Sequence, residues 1–327
     1  MNILVAVFSP APAWTLPRRF VDVLRREFPH HTFHDAWDGD ALNAFLPDAD
    51  VAFSAAIDRS SFASLTRLKW VQSPATGVGG MLGPELIASP IVVTSARGVR
   101  ARAIAEHVMG VTIALARLLP LVLRQQGEKV WALEEIESSG QVRTLHDRRI
   151  AIVGLGAIGL EVARLASAFG MRVSAIRRRS GLEMPSAVEE VLPPDQLHEL
   201  LARSDVVVLS APLTAETTRL IDRAALDRLK RGAFLINVGR GKLIEDEAVI
   251  DALRDGRLGG AALDVFTREP LDAASPYWDL PNVIVTPHIA GAMEDYWTPL
   301  VSLFAENLRR FERGQPLLNI VDKAAGY

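Results

Sequence analysis

Ile150-Ala151-Ile152-Val153-Gly154-Leu155-Gly156-Ala157-Ile158-Gly159 is an apolar run that ends in three glycines, and Leu160–Phe169 continues it with helical spacing. A strand, a tight turn and a helix in that order separate this pattern from an ordinary glycine turn. Gly154 permits the turn, Gly156 lets the backbone approach a pyrophosphate, and Gly159 allows the helix to close on the strand. Phosphate is expected on the amides of Ala157 and Ile158, where the first helical N–H groups have no intrahelical acceptor.

The next strand discriminates between dinucleotides. Val173-Ser174-Ala175-Ile176 ends in Arg177-Arg178-Arg179, and Arg177 stands where an acidic residue would hold a ribose 2′-hydroxyl. Guanidinium groups suit a 2′-phosphate instead, through paired, charge-assisted bonds. The expectation is NADP(H) as preferred cofactor, with NAD(H) possible.

Around this unit the chain alternates between strand and helix patterns. Ile3–Phe8, Asp50–Ser54, Leu68–Gln72 and Ile91–Thr94 read as buried strands, and Pro17–Phe28 has helical spacing at Phe20, Val23, Leu24 and Phe28. Ala101–Gln125 is the longest helical pattern, with Ile104, Val108, Val111, Leu115, Leu118 and Leu119 on one side and a break or kink expected at Pro120. A Glu-rich stretch at 128–139 reads as irregular. The second series has strands at Arg149–Val153, Arg172–Ile176, Val206–Ser210, Ala233–Val238, Gly260–Asp264 and Val283–Thr286, then a helix at about Tyr296–Arg313. Such alternation implies parallel sheets with helices on both faces.

Bulk properties exclude several functions. With 49% hydrophobic and 23% charged residues over 327 positions, the balance is that of a folded chain long enough for two domains. A net charge of −3 supplies no basic field for nucleic acid or an anionic membrane. The lack of cysteine removes disulfides, thiolate metal sites and thiol nucleophiles. Ile3–Phe8 has no basic leader and is too short for a signal peptide, and no apolar run reaches membrane-spanning length, so a cytoplasmic protein is expected. His30, His31 and His34 lie in a segment without metal-ligand spacing, and no metal is expected. No Gly-x-Ser-x-Gly elbow supports serine-nucleophile chemistry.

Three later stretches carry reactive groups. Asn237-Val238-Gly239-Arg240-Gly241 follows a strand and sets Arg240 between two glycines, where a guanidinium can grip a carboxylate and polarise an adjacent keto oxygen. Arg268-Glu269-Pro270 contributes a carboxylate, and Thr286-Pro287-His288-Ile289-Ala290-Gly291 an imidazole. A carboxylate hydrogen-bonded to imidazole favours its protonated form, which can donate to a carbonyl as hydride arrives.

In order, and with spacings of 29 and 19 residues between Arg240, Glu269 and His288, these motifs resemble the D-isomer-specific 2-hydroxyacid dehydrogenase family over most of the chain. The resemblance implies two doubly wound parallel-sheet α/β domains, a Rossmann nucleotide domain (99–289) inserted into a flavodoxin-like substrate domain (1–98 and 290–327). It implies roles for Arg240 in substrate binding, Glu269 in tuning the histidine and His288 in proton transfer. By the same resemblance, Asp264 holds the nicotinamide amide, while Val238, Pro212 and Thr218 line the cofactor. Gly77, Val78 and Gly79 offer backbone amides to the substrate carboxylate. Gly79 stands where many members have an acidic residue, which implies a freer loop. The Arg-rich second strand and the ending at Pro316-Leu317-Leu318-Asn319 look most like glyoxylate/hydroxypyruvate reductases. The implied reaction is NADPH-dependent reduction of small 2-keto acids to 2-hydroxy acids by a homodimer joined through the nucleotide domain. An NAD(H)-preferring D-2-hydroxyacid dehydrogenase is the nearest alternative. Formate dehydrogenases share the Arg/His pair but typically carry glutamine where Glu269 stands. A nicotinamide-sensing, corepressor-like binding protein is the rival of a different class, and the full Arg/Glu/His set favours an enzyme.

Overall fold

The computed structural model describes residues 1–178, 181 and 183–326; of the three consecutive arginines, Arg179 lies outside them. The chain divides into two compact units, Met1–Val99 with the segment from Met293 onward, and Arg100–Ala292.

The first unit holds five parallel strands: β1 (Asn2–Ala6), β2 (Thr32–Asp35), β3 (Val51–Ser54), β4 (Trp70–Gln72) and β5 (Val92–Thr94). Their order, β2-β1-β3-β4-β5, is the flavodoxin-like one. Successive residues of β1 enter different cores: Ile3 and Val5 pack with Phe53, Trp70 and Phe304, Leu4 and Ala6 with Leu42, Val71 and Leu86. Both faces are therefore covered, as an all-parallel sheet requires. The helix Trp297–Glu312 supplies part of one cover, with Phe304 stacked on Phe53 at 4.7 Å between ring centroids. A buried polar chain fixes it there. The Trp70 indole donates to Thr94 Oγ1, Thr94 to Gln72 Oε1, and Asn307 Nδ2 to the same Gln72 oxygen.

The second unit holds β6 (Arg149–Val153), β7 (Arg172–Ile176), β8 (Glu190–Leu192), β9 (Val206–Leu209), β10 (Ala233–Asn237), β11 (Leu258–Leu263) and β12 (Val283–Val285). The order β12-β11-β10-β9-β6-β7-β8 is the doubly wound Rossmann order with one further strand at the far edge. All pairs are parallel, so every strand ends on the same side of the sheet. The expectation of two doubly wound parallel sheets is met.

Local readings needed correction in several places. His34 is in β2, an edge strand that the polar sequence Thr32-Phe33-His34-Asp35 hid. The edge strand β8 was likewise unread. The break expected at Pro120 is present, however: the long pattern is two helices, Ala101–Ala116 and Leu119–Glu128, bent by 66°. The Pro120 ring would clash with the carbonyl of Ala116, and the first helix ends at Ala116. Leu119 and Val23 are 40% and 38% exposed rather than in the core. The stretch taken as irregular contains the short helix Leu133–Ser138. Among the described residues no single helix is long and apolar enough to cross a membrane; only the bent pair meets that length and composition together.

Candidate active site

Parallel strand order reverses between β6 and β9, and ligands of open α/β sheets bind outside the strand ends at such a switch point. The glycine turn lies there. Gly154 has φ +103°, and a side chain on it would meet the Ala211 amide nitrogen at 2.6 Å. Ser210 Oγ donates to the Gly154 carbonyl and fixes the turn from the neighbouring strand. A Cβ on Gly159 would stand 2.4 Å from the same carbonyl, so glycine there lets the helix Ala157–Ala168 close on β6. Gly156 faces open space, and no side chain caps the helix, which leaves the Ala157 and Ile158 amides without a side-chain acceptor. An uncapped N-terminus behind an open glycine fits a phosphate group.

Arg177 directly follows β7, its amide bonded to the Leu192 carbonyl and its guanidinium to the Glu183 carbonyl. Arg178 is exposed and near enough to Glu216 that its charge, after bonds from Thr214 and the local backbone, helps hold that carboxyl low. The basic segment and the Pro212–Thr218 loop thus face each other. Within that loop, Thr217 Oγ1 donates to the Pro212 carbonyl and Thr218 Oγ1 to the Thr214 carbonyl. Val238 is buried at the end of β10.

Arg240, Glu269 and His288 follow β10, β11 and β12 in turn. Asn237, fully buried, shapes the first loop: its Oδ1 accepts the Gly239 amide and its Nδ2 donates to the Arg240 carbonyl. Gly241 brings that loop against the next, since a Cβ there would fall 1.9 Å from the Phe266 carbonyl carbon. Arg240 remains exposed, with Nη1 on the Gly239 carbonyl.

Glu269 is held at both oxygens. Oε1 accepts the Phe266 amide at 2.9 Å, and Oε2 lies 2.7 Å from His288 Nδ1. Burial alone would raise its carboxyl, but the bonds from His288 and Phe266 and the His288 and Arg240 charges outweigh it and hold the pKa below the usual range. The loop is braced from behind by Asp246, which accepts from Thr267 Oγ1 at 2.7 Å and from the Tyr277 hydroxyl at 2.9 Å. Burial, and then the Asp246 charge, push the Tyr277 hydroxyl up, so it remains a neutral donor.

His288 has φ +55°, a left-handed conformation costly for a residue with a side chain. Asp264 sustains it. Its carbonyl accepts the His288 amide, and its buried carboxylate accepts the Ile289 and Ala290 amides and the Thr286 hydroxyl. His107 Nε2 lies 3.4 Å from Thr286 Oγ1; burial lowers its pKa despite the Asp264 charge. The bracing by Asn237, Asp246 and His107 was missed in the sequence, where each is an ordinary polar residue; only the fold shows what each touches.

Gly77, Val78 and Gly79 belong to the first unit. Val78 is buried, and Gly77 and Gly79 are exposed. The loop is less free than its glycines imply, because Arg59 bonds the Gly79 and Gly80 carbonyls, both at 2.7 Å.

A phosphate-ready turn at the switch point, with a cation and a carboxylate-held imidazole on strand ends of the same sheet, defines a nicotinamide-dependent oxidoreductase. Residues 109–290 match the family model described as D-isomer specific 2-hydroxyacid dehydrogenase, NAD binding domain. A glyoxylate reductase of Korarchaeum cryptofilum is 35% identical over 289 residues, 88% of this chain and 83% of that one. The crystal structure of a D-isomer specific 2-hydroxyacid dehydrogenase from Xanthobacter autotrophicus, in complex with NADPH and MES, is 31% identical. It superposes with a TM-score of 0.84 over 99% of each chain. An NADPH-dependent glyoxylate/hydroxypyruvate reductase from Sinorhizobium meliloti, in complex with NADP and sulfate, gives a TM-score of 0.83 at 27% identity over the full length of both chains. The chain belongs to the D-isomer-specific 2-hydroxyacid dehydrogenase family, whose members are NAD(P)-dependent oxidoreductases.

Proposed function

We propose that this protein reduces small 2-keto acids of the glyoxylate and hydroxypyruvate type to 2-hydroxy acids with NADPH, His288 acting as proton donor. The observation that carries the reading is the 2.7 Å contact between His288 Nδ1 and Glu269 Oε2, with the other carboxylate oxygen on the Phe266 amide. An anion fixed in that position accepts the Nδ1 proton, so the transferable proton of the imidazolium is on Nε2. His288 then donates from Nε2 to the keto oxygen. Arg240 takes the substrate carboxylate through paired bonds and draws charge from the adjacent carbonyl. A bound nicotinamide supplies the hydride.

With the cofactor bound, the turn Gly154–Gly159 would hold the pyrophosphate on the Ala157 and Ile158 amides, Pro212, Thr218 and Val238 would line the cofactor, and Asp264 would hold the nicotinamide amide. Arg177 and Arg178 would take the 2′-phosphate; Arg179, expected to share that role, lies outside the described residues. The NADP-bound relatives support that preference, and the glyoxylate and hydroxypyruvate reductases among the relatives support the substrate class. A homodimer through the nucleotide domain is supported by the grouping of exposed apolar side chains on 119–133, where Leu119, Leu123, Val130, Trp131 and Leu133 all face solvent and Trp131 is 91% exposed.

Initial rates with glyoxylate, hydroxypyruvate, pyruvate and larger keto acids, each with NADPH and NADH, test the reading. Turnover of the two smallest polar substrates is expected, with kcat/KM for NADPH roughly tenfold or more above NADH, the worth of one good phosphate contact. Equal use of both cofactors would favour an NAD-type dehydrogenase. Tight NADPH binding without turnover on any keto acid would favour a sensor.

A further inference from the structure

Outside the active site, the first unit gathers two imidazoles and a carboxylate from opposite ends of the chain. His30 Nε2 lies 2.6 Å and His31 Nε2 2.9 Å from the same oxygen, Glu312 Oε1. One ligand atom from each of the three residues falls within 4.8 Å of the others. We propose that His30, His31 and Glu312 form a binding site for one zinc-class divalent cation, which ties the two ends of the discontinuous unit together.

Several features of the fold hold the donors in place. His31 is in the turn after the helix Arg18–Glu27, where its amide bonds the Phe28 carbonyl. Its ring stacks on buried Phe28, nearly parallel at 6° between planes, and only 6% of the His31 side chain is exposed. Glu312 is the last residue of the helix Trp297–Glu312. Carbonyl groups at a helix C-terminus make a negative end that favours a cation. An ion pair between Arg309 and Glu27 joins the same two helices.

The donor types select the ion. Imidazole with carboxylate suits Zn²⁺, Co²⁺, Ni²⁺ or Cu²⁺, whereas Ca²⁺ and Mg²⁺ take oxygen donors. Donors about 2.0–2.2 Å from zinc stand roughly 3.3 Å apart in a tetrahedron. Glu312 Oε1 therefore draws back by about 0.7 Å from His30 Nε2 and about 0.4 Å from His31 Nε2 as the ion comes between them. Water completes the coordination, which is open on the His30 side, where the side chain is 60% exposed. Because His30 and Glu312 are 282 residues apart in sequence, the ion closes a very long loop and stabilises the fold as any ligand specific for the native state does.

The test uses the full chain with any purification tag removed, stripped with a chelator. Zn²⁺ calorimetry and Co²⁺ absorption should give one equivalent bound per chain, with Tm raised by Zn²⁺ and not by Mg²⁺. His30→Ala, an exposed and structurally mild change, and Glu312→Gln should each weaken binding about tenfold or more, since loss of even an outer partner of a metal ligand costs that much. His34→Ala, whose ring stacks on Phe45, should leave it unchanged. Absence of stoichiometric binding overturns the proposal. So does binding that survives both His30→Ala and Glu312→Gln, or that falls equally in His34→Ala.

Discussion

The carbonyl oxygen of Asp264 accepts the His288 amide at 2.9 Å, while the Asp264 carboxylate takes the amides of the two residues that follow. One buried side chain thus turns the backbone into the left-handed conformation that presents the imidazole. Asp264→Asn replaces an acceptor oxygen with a donor that faces other donors. It should cost about 1–3 kcal/mol of stability, the usual penalty for a buried polar group left unmatched, and lower kcat as well. Urea unfolding and initial rates would measure the two effects; an unaltered kcat would separate the turn from catalysis.

Replacing His288 with alanine should lower kcat by roughly 10²–10⁴, the contribution of a positioned general acid. NADPH affinity, measured by fluorescence titration, should hardly change.

Glu269→Gln keeps a hydrogen-bonding group beside the imidazole but removes the charge, so the reductive rate should fall away at lower pH than in the wild type. Stability should show the complementary signature. The Glu269 carboxyl is held below its ordinary value of 4.5, so its stabilising contribution is fully present above that value and is lost as pH falls through the lower folded-state pKa. Melting curves from pH 7 to 3 should show the wild-type advantage over Glu269→Gln shrinking at the acid end. A constant gap would contradict an ionised, native-state Glu269.

Arg177→Asp removes a cation and adds repulsion at the end of β7. KM for NADPH should rise about tenfold or more relative to that for NADH. Equal changes for both cofactors would make Arg177 a solvent-facing charge only.

A methyl group on Gly241 would overlap the Phe266 backbone, which has no side-chain freedom with which to yield. Gly241→Ala should destabilise by about 3 kcal/mol or prevent accumulation of folded protein, at the upper end for overpacking. Gly156→Ala has open space and should fold normally while binding cofactor more weakly.

Trp131 is almost wholly exposed on the short segment between two helices. If it is buried in a homodimer, Trp131→Asp should lower the sedimentation coefficient from dimer to monomer. A wild-type chain that sediments as a monomer would remove the motive for the dimer.

Strands buried on both faces declare themselves through unbroken apolar runs, which is why β1, β3, β6, β9 and β10 were legible in the sequence. The glycine spacing at 154, 156 and 159 reported a local backbone need, and the motif order around Arg240, Glu269 and His288 pointed to a set that meets on one sheet. Of the four edge strands, the apolar β5 and β12 were legible, while Thr32–Asp35 and Glu190–Leu192 were not: they are short and partly polar, and they exist because β1 and β7 offer them hydrogen bonds. Nor does periodicity say which sheet a helix covers. The return of Trp297–Glu312 to the first sheet rests on Phe304 against Phe53 and Asn307 against Gln72, contacts between residues more than two hundred positions apart. Local conformational preference and patterning are properties of a few neighbouring residues and can be read from the chain. The bracing of His288 by Asp264, the packing of the Arg240 loop against Phe266, and the meeting of His30 and His31 with Glu312 depend on which distant surfaces bury each other, and only the tertiary structure decides that.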